Sequence, residues 1–303
     1  MIKSILNIPV QIINSVAGFF QKLAQATKRP MRSGVLTLKS LISAVVVALS
    51  VFVLFYFAQP FGIRENTALN KNLLISIASV AGFLGILISD YLLPITFKKF
   101  FDSSQWTVIR QFSLFVLRFF FVGLLVMVFS NQVGLAKFDL PMVLLEFTGF
   151  GAVNGFIISF LQESTLRSKF SSKSEIINRN LQNFTPVESQ KMLFPVMAFS
   201  GANEKLSLVP NQLVSVSISK YKSQLLYQNF FGLADKELDI QAEDVKKELQ
   251  KHPQFIQISD HEYANAHALY KVTGDASGYE LHIAKRAKPV RLSRKFEKTI
   301  ESL

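Results

Sequence analysis

Residues 285–298 hold a dense run of positive charge. Guanidinium groups bind phosphate oxygens in a bidentate manner, and lysine ammonium groups bind them as point charges. Together with Lys220 and Lys222, this run could follow the phosphates of a nucleic acid. The anionic inner leaflet of a membrane would attract the same charges by about 1 kcal/mol each. The run consists of Lys285, Arg286, Lys288, Arg291, Arg294, Lys295 and Lys298.

Apart from Lys39 and Arg110 at the very starts of their runs, three charged residues lie inside long apolar runs: Asp90, Arg118 and Glu146. A charge in a bilayer costs at least ~2.5–3.5 kcal/mol, so such residues usually face a partner. Counted from the same side, the depths of Asp90 and Arg118 differ by about one helical turn, and we expect them to pair. The pair would either fix the helix register or form a ligand or proton site. Glu146 lies near the outer end of its run and can reach the interface.

The sequence predicts neither an enzyme nor a metal or cofactor site. The chain has no cysteine, which excludes disulfides, Fe–S clusters and thiol nucleophiles. Its histidines do not have metal-ligand spacing, and there is no phosphate-binding loop or glycine-rich dinucleotide signature. The histidines are His252, His261, His267 and His282.

Four apolar runs fill the first half of the chain, each about 20 residues long, the length of an α-helix that crosses a membrane. They are Leu38–Phe57, Leu73–Ile95, Val108–Phe129 and Met142–Phe160. The sequence therefore predicts an α-helical membrane domain of four transmembrane helices over residues 36–162. Gly149, Gly151 and Gly155 predict close helix packing in the fourth run.

Lysine and arginine near the ends of these runs predict the orientation. Basic residues concentrate in the N-terminal segment, in the second loop and after the fourth run, which all lie on one face if there are four spans. We therefore expect a multi-pass protein of the cytoplasmic membrane with both termini in the cytoplasm. The basic residues are Lys3, Lys22, Lys28, Arg29, Arg32, Lys39, Lys98, Lys99, Arg167, Lys169, Lys173 and Arg179.

Two further segments flank the spans. Residues 1–35 are basic, and apolar residues between Ile5 and Phe20 recur at helical spacing, which predicts an amphipathic helix on the cytoplasmic leaflet or a basic tail. Residues 163–193 predict a cytoplasmic linker with a short helix that Pro186 ends.

From Phe194 onward, apolar residues alternate with a period of two, which predicts short strands. These lie at Leu206–Leu208, Leu213–Ile218, Gln224–Phe231, Phe255–Ile258, Leu269–Thr273, Tyr279–Ile283 and Pro289–Leu292, with one short helix at Val245–Leu249. Many strands and a single small helix indicate a mostly-β cytoplasmic domain over residues 194–303.

The strongest motif of this domain combines aromatic, glycine and asparagine positions. It consists of Phe255, Asn265, Val272, Gly274, Gly278, Tyr279 and Leu281. These match the pattern F-x-R-x-H-R-S-Y-x-V-N followed by V-x-G-x-x-x-G-Y-x-L, without a gap. The domain thus resembles the LytTR DNA-binding domain of bacterial transcriptional regulators. The segment from Pro289 to Phe296 resembles the family's closing P-V-S-R-x-[YF], and residues 59–63 resemble a membrane-anchored branch of the family.

The resemblance implies DNA contacts by loop residues, here Lys220, Tyr221, Asp260, His261, Lys285, Arg286, Arg291, Arg294 and Lys295. Arg294 occupies the position of the family's base-reading arginine. The chain departs from the family at the His-Arg-Ser positions, which hold Ser259, Asp260 and His261, and at Asp239. A carboxylate cannot read guanine as arginine does, and it repels phosphate.

We therefore expect a membrane-anchored transcriptional regulator that binds DNA as a homodimer. Its transmembrane helices would act as the anchor and as a sensor of a lipid, a small ligand or a membrane protein. The alternative is a degenerate LytTR-like module that acts as a membrane-bound interaction or scaffold protein. A small transporter would need a polar path, for which the spans offer only Asp90, Arg118, Glu146 and Asn154.

Overall fold

The computed structural model of the protein describes residues 18, 21–58, 68–133, 140–183, 196–202, 204–284 and 286–303. The chain forms two compact units, Met1–Ser164 and Thr165–Leu303. Most of the segment predicted to be an amphipathic helix, together with residues 59–63 and Pro186, lies outside the described residues.

Long helices build the first unit. They are α1 (Leu38–Ala58), α2 (Ala68–Leu87), the short α3 (Leu93–Thr96), α4 (Val108–Gln132) and α5 (Leu140–Asn183). A π-helical turn, Ile88–Leu92, joins α2 to α3, and a 3-10 turn, Ser103–Gln105, precedes α4. Residues 21–27 are helical as well.

Within the part of the chain that the structure describes, three helical stretches are long and apolar enough to cross a membrane: Lys71–Thr96, Val108–Gln132 and Pro141–Gln182. They correspond to the second, third and fourth predicted runs. Helix α1 covers the first run, which stays a predicted span. Helix α5 has 44 residues, which at 1.5 Å per residue gives about 66 Å, well beyond a ~30 Å hydrocarbon layer. It continues through the Ser- and Lys-rich residues where the sequence predicted only a short separate helix.

Glycines allow α4 and α5 to approach closely. A Cβ atom built on Gly151 would lie 2.6 Å from the Cβ of Phe119, and one on Gly155 would lie 2.6 Å from the Cβ of Phe115. The expected close packing is therefore confirmed at these two glycines. It is wrong for Gly149, because a Cβ atom built on this glycine would meet no atom within 4 Å. Gly149 is on an exposed part of α5.

The described residues of the second unit contain strands in three antiparallel sheets, in agreement with the predicted mostly-β class. The strands are β1 (Met197–Ser200), β2 (Lys205–Leu208), β3 (Leu213–Ile218), β4 (Ser223–Asn229), β5 (Gly232–Leu238), β6 (Phe255–Ser259), β7 (Glu262–Asn265), β8 (Leu269–Asp275), β9 (Gly278–Ile283) and β10 (Val290–Arg291). A five-stranded sheet has the order β5-β4-β3-β7-β6, a three-stranded sheet the order β10-β9-β8, and β1 pairs with β2. The helices are α6 (Ala242–Gln250) and α7 (Glu297–Glu301).

The C-terminal part of α5 belongs to the core of the second unit. Phe170 and Ile177 are buried with β6, β8 and β9 side chains, and the Phe170 ring meets the Tyr279 ring edge-on. The Asn178 amide donates to the carbonyl of Val272 at 2.8 Å and accepts from its N–H at 2.7 Å. This side chain therefore pairs with backbone N–H and C=O groups at the edge of β8, as a neighbouring strand would.

A second apolar cluster lies between α6 and the five-stranded sheet. Val245 and Leu249 on α6 are buried against Leu213, Val216 and other residues of β3, β4 and β1. The apolar face of this short helix covers one side of the sheet, and its polar side faces solvent.

Candidate functional site

Three loops of the second unit meet at one end of the five-stranded sheet, here called the loop end. They are residues 219–222 between β3 and β4, residues 260–261 between β6 and β7, and residues 293–296 after β10. The N–H of Ile218 donates to the carbonyl of His261 at 2.7 Å, and the N–H of Ser293 donates to the carbonyl of Ile258 at 2.9 Å. The backbone therefore fixes the three loops next to one another.

The first loop is a tight turn closed by the Ser219 N–H, which donates to the Lys222 carbonyl at 2.7 Å. Lys220 and Tyr221 are exposed, and the Lys220 Nζ lies 4.8 Å from the centroid of the Tyr221 ring. A surface pocket of about 420 Å³ beside this turn is lined by these residues and by Lys222, Gln224 and Glu237. A cation beside an exposed aromatic ring can contact both a phosphate and a base.

The second loop carries Asp260 and His261, both exposed. The Asp260 carboxylate forms an ion pair with Lys295 of the third loop, with Nζ and Oδ1 2.9 Å apart. The hydrogen bond from Lys295 lowers the pKa of Asp260, so this carboxylate is ionised at neutral pH. The sequence-predicted residues Asp260 and Lys295 are thus in direct contact, and each neutralises the other.

The third loop is a short 3-10 turn, Arg294–Phe296. The ring of Phe296 packs against the core that contains Phe170, which holds the turn in place. Arg294 is an exposed residue, yet nearby protein atoms displace part of the water around its guanidinium and lower its pKa. An arginine remains protonated at neutral pH even so.

The other predicted contact residues are distributed differently. Arg286 forms an ion pair with Glu262 at the start of β7, beside the loop end. Arg291 lies near the carboxylates of Glu280 (3.4 Å) and Asp275 (3.5 Å), next to the turn between β8 and β9, so no described contact joins it to the three loops. Lys285 lies outside the described residues.

Carboxylates interrupt the positive surface of the loop end. Lys222 contacts Glu237 at 2.6 Å and Asp239 at 4.0 Å, and its hydrogen bond with Glu237 raises the pKa of Lys222. Sequence reasoning missed this pairing because β5 was not predicted as a strand. The alternation of Asp235, Glu237 and Asp239 was the signal that could have identified it.

The first unit contains the second candidate site. The Asp90 carboxylate accepts two hydrogen bonds from Arg118, from Nε at 2.9 Å and from Nη2 at 2.7 Å, so the expected pairing is observed. Asp90 is 1 % exposed and also accepts a hydrogen bond from Ser89. The Arg118 guanidinium lies 4.9 Å from the centroid of the Phe115 ring. Glu146 is exposed on α5 and is not part of this cluster.

Within the described ranges, histidine, aspartate and glutamate side chains form no group of three or more that could hold a metal ion. His282 instead shares a hydrogen bond with Thr273. In comparisons with known proteins, no family model and no curated protein matches this chain.

Proposed function

We propose that the protein is a membrane-anchored transcriptional regulator that binds DNA through the loop end of its second unit. The convergence of the three loops at one end of the sheet is the observation that carries this proposal. The LytTR resemblance implies DNA contacts at these loops, which are far apart in the sequence. Their proximity is what a shared binding surface requires.

The chemistry of the loop end supports the same proposal. Lys220, Tyr221 and Arg294 are exposed there and combine two cations with an aromatic ring. Phosphate contacts would position the protein on a duplex, and arginine is the residue most often used for bidentate reading of guanine. The core contacts of Phe296 hold the Arg294 turn in a fixed geometry, which lowers the entropic cost of binding.

The membrane spans give the proposal its second part. Tethering at a bilayer confines the search for DNA to the space near the membrane, and two adjacent copies would raise the effective concentration for a paired site. We therefore expect binding as a homodimer to repeated half-sites.

A second candidate function is a membrane-bound protein-interaction module. The ion pairs of Lys222, Lys295 and Arg286 favour it, because each places a carboxylate where DNA binding needs free positive charge. A surface of alternating charges suits a protein partner better than a phosphate backbone.

The test is selection of a randomised duplex pool by the full chain in lipid nanodiscs, over a series of salt concentrations. We expect a repeated motif to be enriched and the enrichment to be lost with Arg294→Ala. Lys205→Ala, which removes an exposed lysine on β2, is the matched control and should keep the motif. Weak binding that vanishes by ~200 mM salt without enrichment is phosphate attraction alone, and would favour the interaction module.

A further inference from the structure

The first unit contains a segment that contacts an irregular turn of a neighbouring helix. Residues 29–37, here called the strap, precede α1. At its start, the strap pairs with the first residue of α4 and the segment before it: the Met31 N–H donates to the Trp106 carbonyl at 3.0 Å, and the Val108 N–H donates to the Arg29 carbonyl at 3.1 Å. At its other end, the strap contacts the π-helical turn.

The π turn presents an unusual backbone acceptor. Pro94 has no N–H, so the carbonyl of Asp90, four residues earlier, loses the donor that an α-helix would supply. The Leu36 N–H of the strap donates to this carbonyl at 3.1 Å. In a stretch able to cross a membrane, an unsatisfied carbonyl is costly, and a neighbouring segment that satisfies it is strongly favoured.

Two side chains of the same turn add further contacts. The Tyr91 hydroxyl donates to the Thr37 carbonyl at 2.6 Å and accepts from the Ser40 hydroxyl at 3.2 Å. The Asp90 carboxylate meanwhile holds Arg118 of α4. The backbone carbonyl of Asp90 and the hydroxyl of Tyr91 therefore hold the strap, whereas the carboxylate of Asp90 holds α4.

The local backbone is in conformations that need external support. Leu36 has a φ of 55°, the left-handed region that a leucine rarely adopts. Residues 88–92 have the π pattern, with the Leu93 N–H donating to the Ile88 carbonyl. Such conformations persist only where surrounding contacts determine them, and π turns occur frequently at functional sites.

We propose that the strap is releasable, and that the turn at Asp90 and Tyr91 couples its release to the opening of the contact with α4. Loss of the strap removes the donor to the Asp90 carbonyl, the turn rearranges, and the Asp90 carboxylate moves away from Arg118. The coupling also acts in the other direction, so that loss of the Arg118 side chain detaches the strap. This coupling concerns the membrane unit alone and holds whether or not the second unit binds DNA.

The chain has no cysteine, so one introduced thiol at a time reports on one contact of the chain in nanodiscs. Val35→Cys places a thiol on the strap, where Val35 is 9 % exposed, and Leu114→Cys places one on α4, where Leu114 is 0 % exposed. A small water-soluble maleimide labels each thiol only when its surroundings open. Lys98→Cys, at an exposed position, is the fully reactive control.

Each substitution is made at one contact, and the labelling rate is measured at the thiol beside the other contact. If the two contacts were independent, a substitution at one would not change labelling at the other. Arg118→Gln, which touches only the α4 contact, is expected to speed labelling of the Val35→Cys thiol by about tenfold. Tyr91→Phe, which touches only the strap contact, is expected to speed labelling of the Leu114→Cys thiol. Arg118→Lys keeps a cation and should largely restore protection of the strap thiol.

Unchanged labelling at both distant reporters would overturn the proposal. A thiol at Ala81→Cys, in the buried face of α2, separates local opening from unfolding, because it becomes reactive only if the unit unfolds. If Arg118→Gln unfolds the unit, the Tyr91→Phe variant alone decides, and a protected Leu114→Cys thiol then rejects the coupling.

Discussion

The two units use ion pairs in opposite ways. In the first, Asp90 and Arg118 form a bidentate pair whose side chains are 1 % and 17 % exposed. In the second, both partners of the Lys295–Asp260 pair are more than 60 % exposed. Charges attract far more strongly in a low-dielectric interior than in water, where salt also screens them. The buried pair joins the π-helical turn to α4 largely out of contact with solvent, whereas the exposed pairs adjust the charge of a surface.

The largest expected effect comes from breaking the buried pair. Arg118→Ala leaves the Asp90 carboxylate buried without its partner and should lower the free energy of unfolding of the membrane unit by about 3–5 kcal/mol. Unfolding of the full chain in mixed micelles measures this change. The double variant Asp90→Asn/Arg118→Gln is the control and should lose less, because no charge remains. A loss below ~1 kcal/mol for Arg118→Ala would mean that the buried pair contributes no more to stability than an exposed surface pair.

A matched pair of phenylalanines tests whether burial, rather than residue type, sets the energetics of the second unit. Phe170→Ala removes a ring that is 2 % exposed from the core and should cost about 3–5 kcal/mol. Phe230 is 100 % exposed in the turn between β4 and β5, and Phe230→Ala should change stability by less than about 0.5 kcal/mol. Thermal unfolding of the full chain measures both, and equal effects would show that α5 does not belong to this core.

The exposed pair at the loop end should matter for binding more than for folding. Asp260→Asn removes a negative charge next to Lys295, and we expect DNA affinity to rise roughly fivefold, because the ammonium group of this lysine then attracts phosphate without competition from a carboxylate. The free energy of unfolding should change little, as for other surface pairs. Titrations of the enriched duplex measure the affinity, with Glu280→Gln near Arg291 as the control. Weaker binding by Asp260→Asn would instead mean that this carboxylate contacts the DNA.

The smallest effect is expected from pH. A hydrogen bond from Lys173, joined by one from Tyr279, lowers the pKa of Glu301. A carboxyl group whose pKa is lowered by folding stabilises the protein above its ordinary pKa near 4.5, and this contribution is lost as the pH falls through the lowered value. Glu301→Gln should therefore reduce the melting temperature at pH 7, and this deficit should shrink as the pH falls below 4.5. A deficit of the same size at neutral and at acidic pH would contradict this origin.

Hydropathy was sufficient to predict the helical stretches of the first unit, because twenty apolar residues have few alternatives in a membrane. It could not predict the π turn at Asp90, which depends on Pro94 and on a donor from the strap. Nor could it predict that α5 continues to Asn183, because most residues after Phe160 are polar and the apolar residues on the buried side, Leu166, Phe170, Ile177 and Leu181, are widely spaced.

The strands with clear alternation, such as β3 and β9, could be predicted from the sequence. The short strands β1 and β7 and the charged strand β5 could not, because pairing with distant neighbours determines them. The loop end was only partly predictable for the same reason. Its residues were identified one at a time, whereas the contacts of Lys222 with Glu237 and of Arg286 with Glu262 depend on the sheet order.

Hydrogen–deuterium exchange of the full chain in nanodiscs, with and without a duplex enriched from the randomised pool, tests directly whether DNA binds at the loop end. The turns at residues 219–222 and 230–231 lie at opposite ends of β4, so the sheet contains its own control. We expect slower exchange in residues 219–222, 260–261 and 293–296 when DNA is bound, and no change at 230–231. Protection at 230–231 with none at the three loops would contradict binding at the loop end.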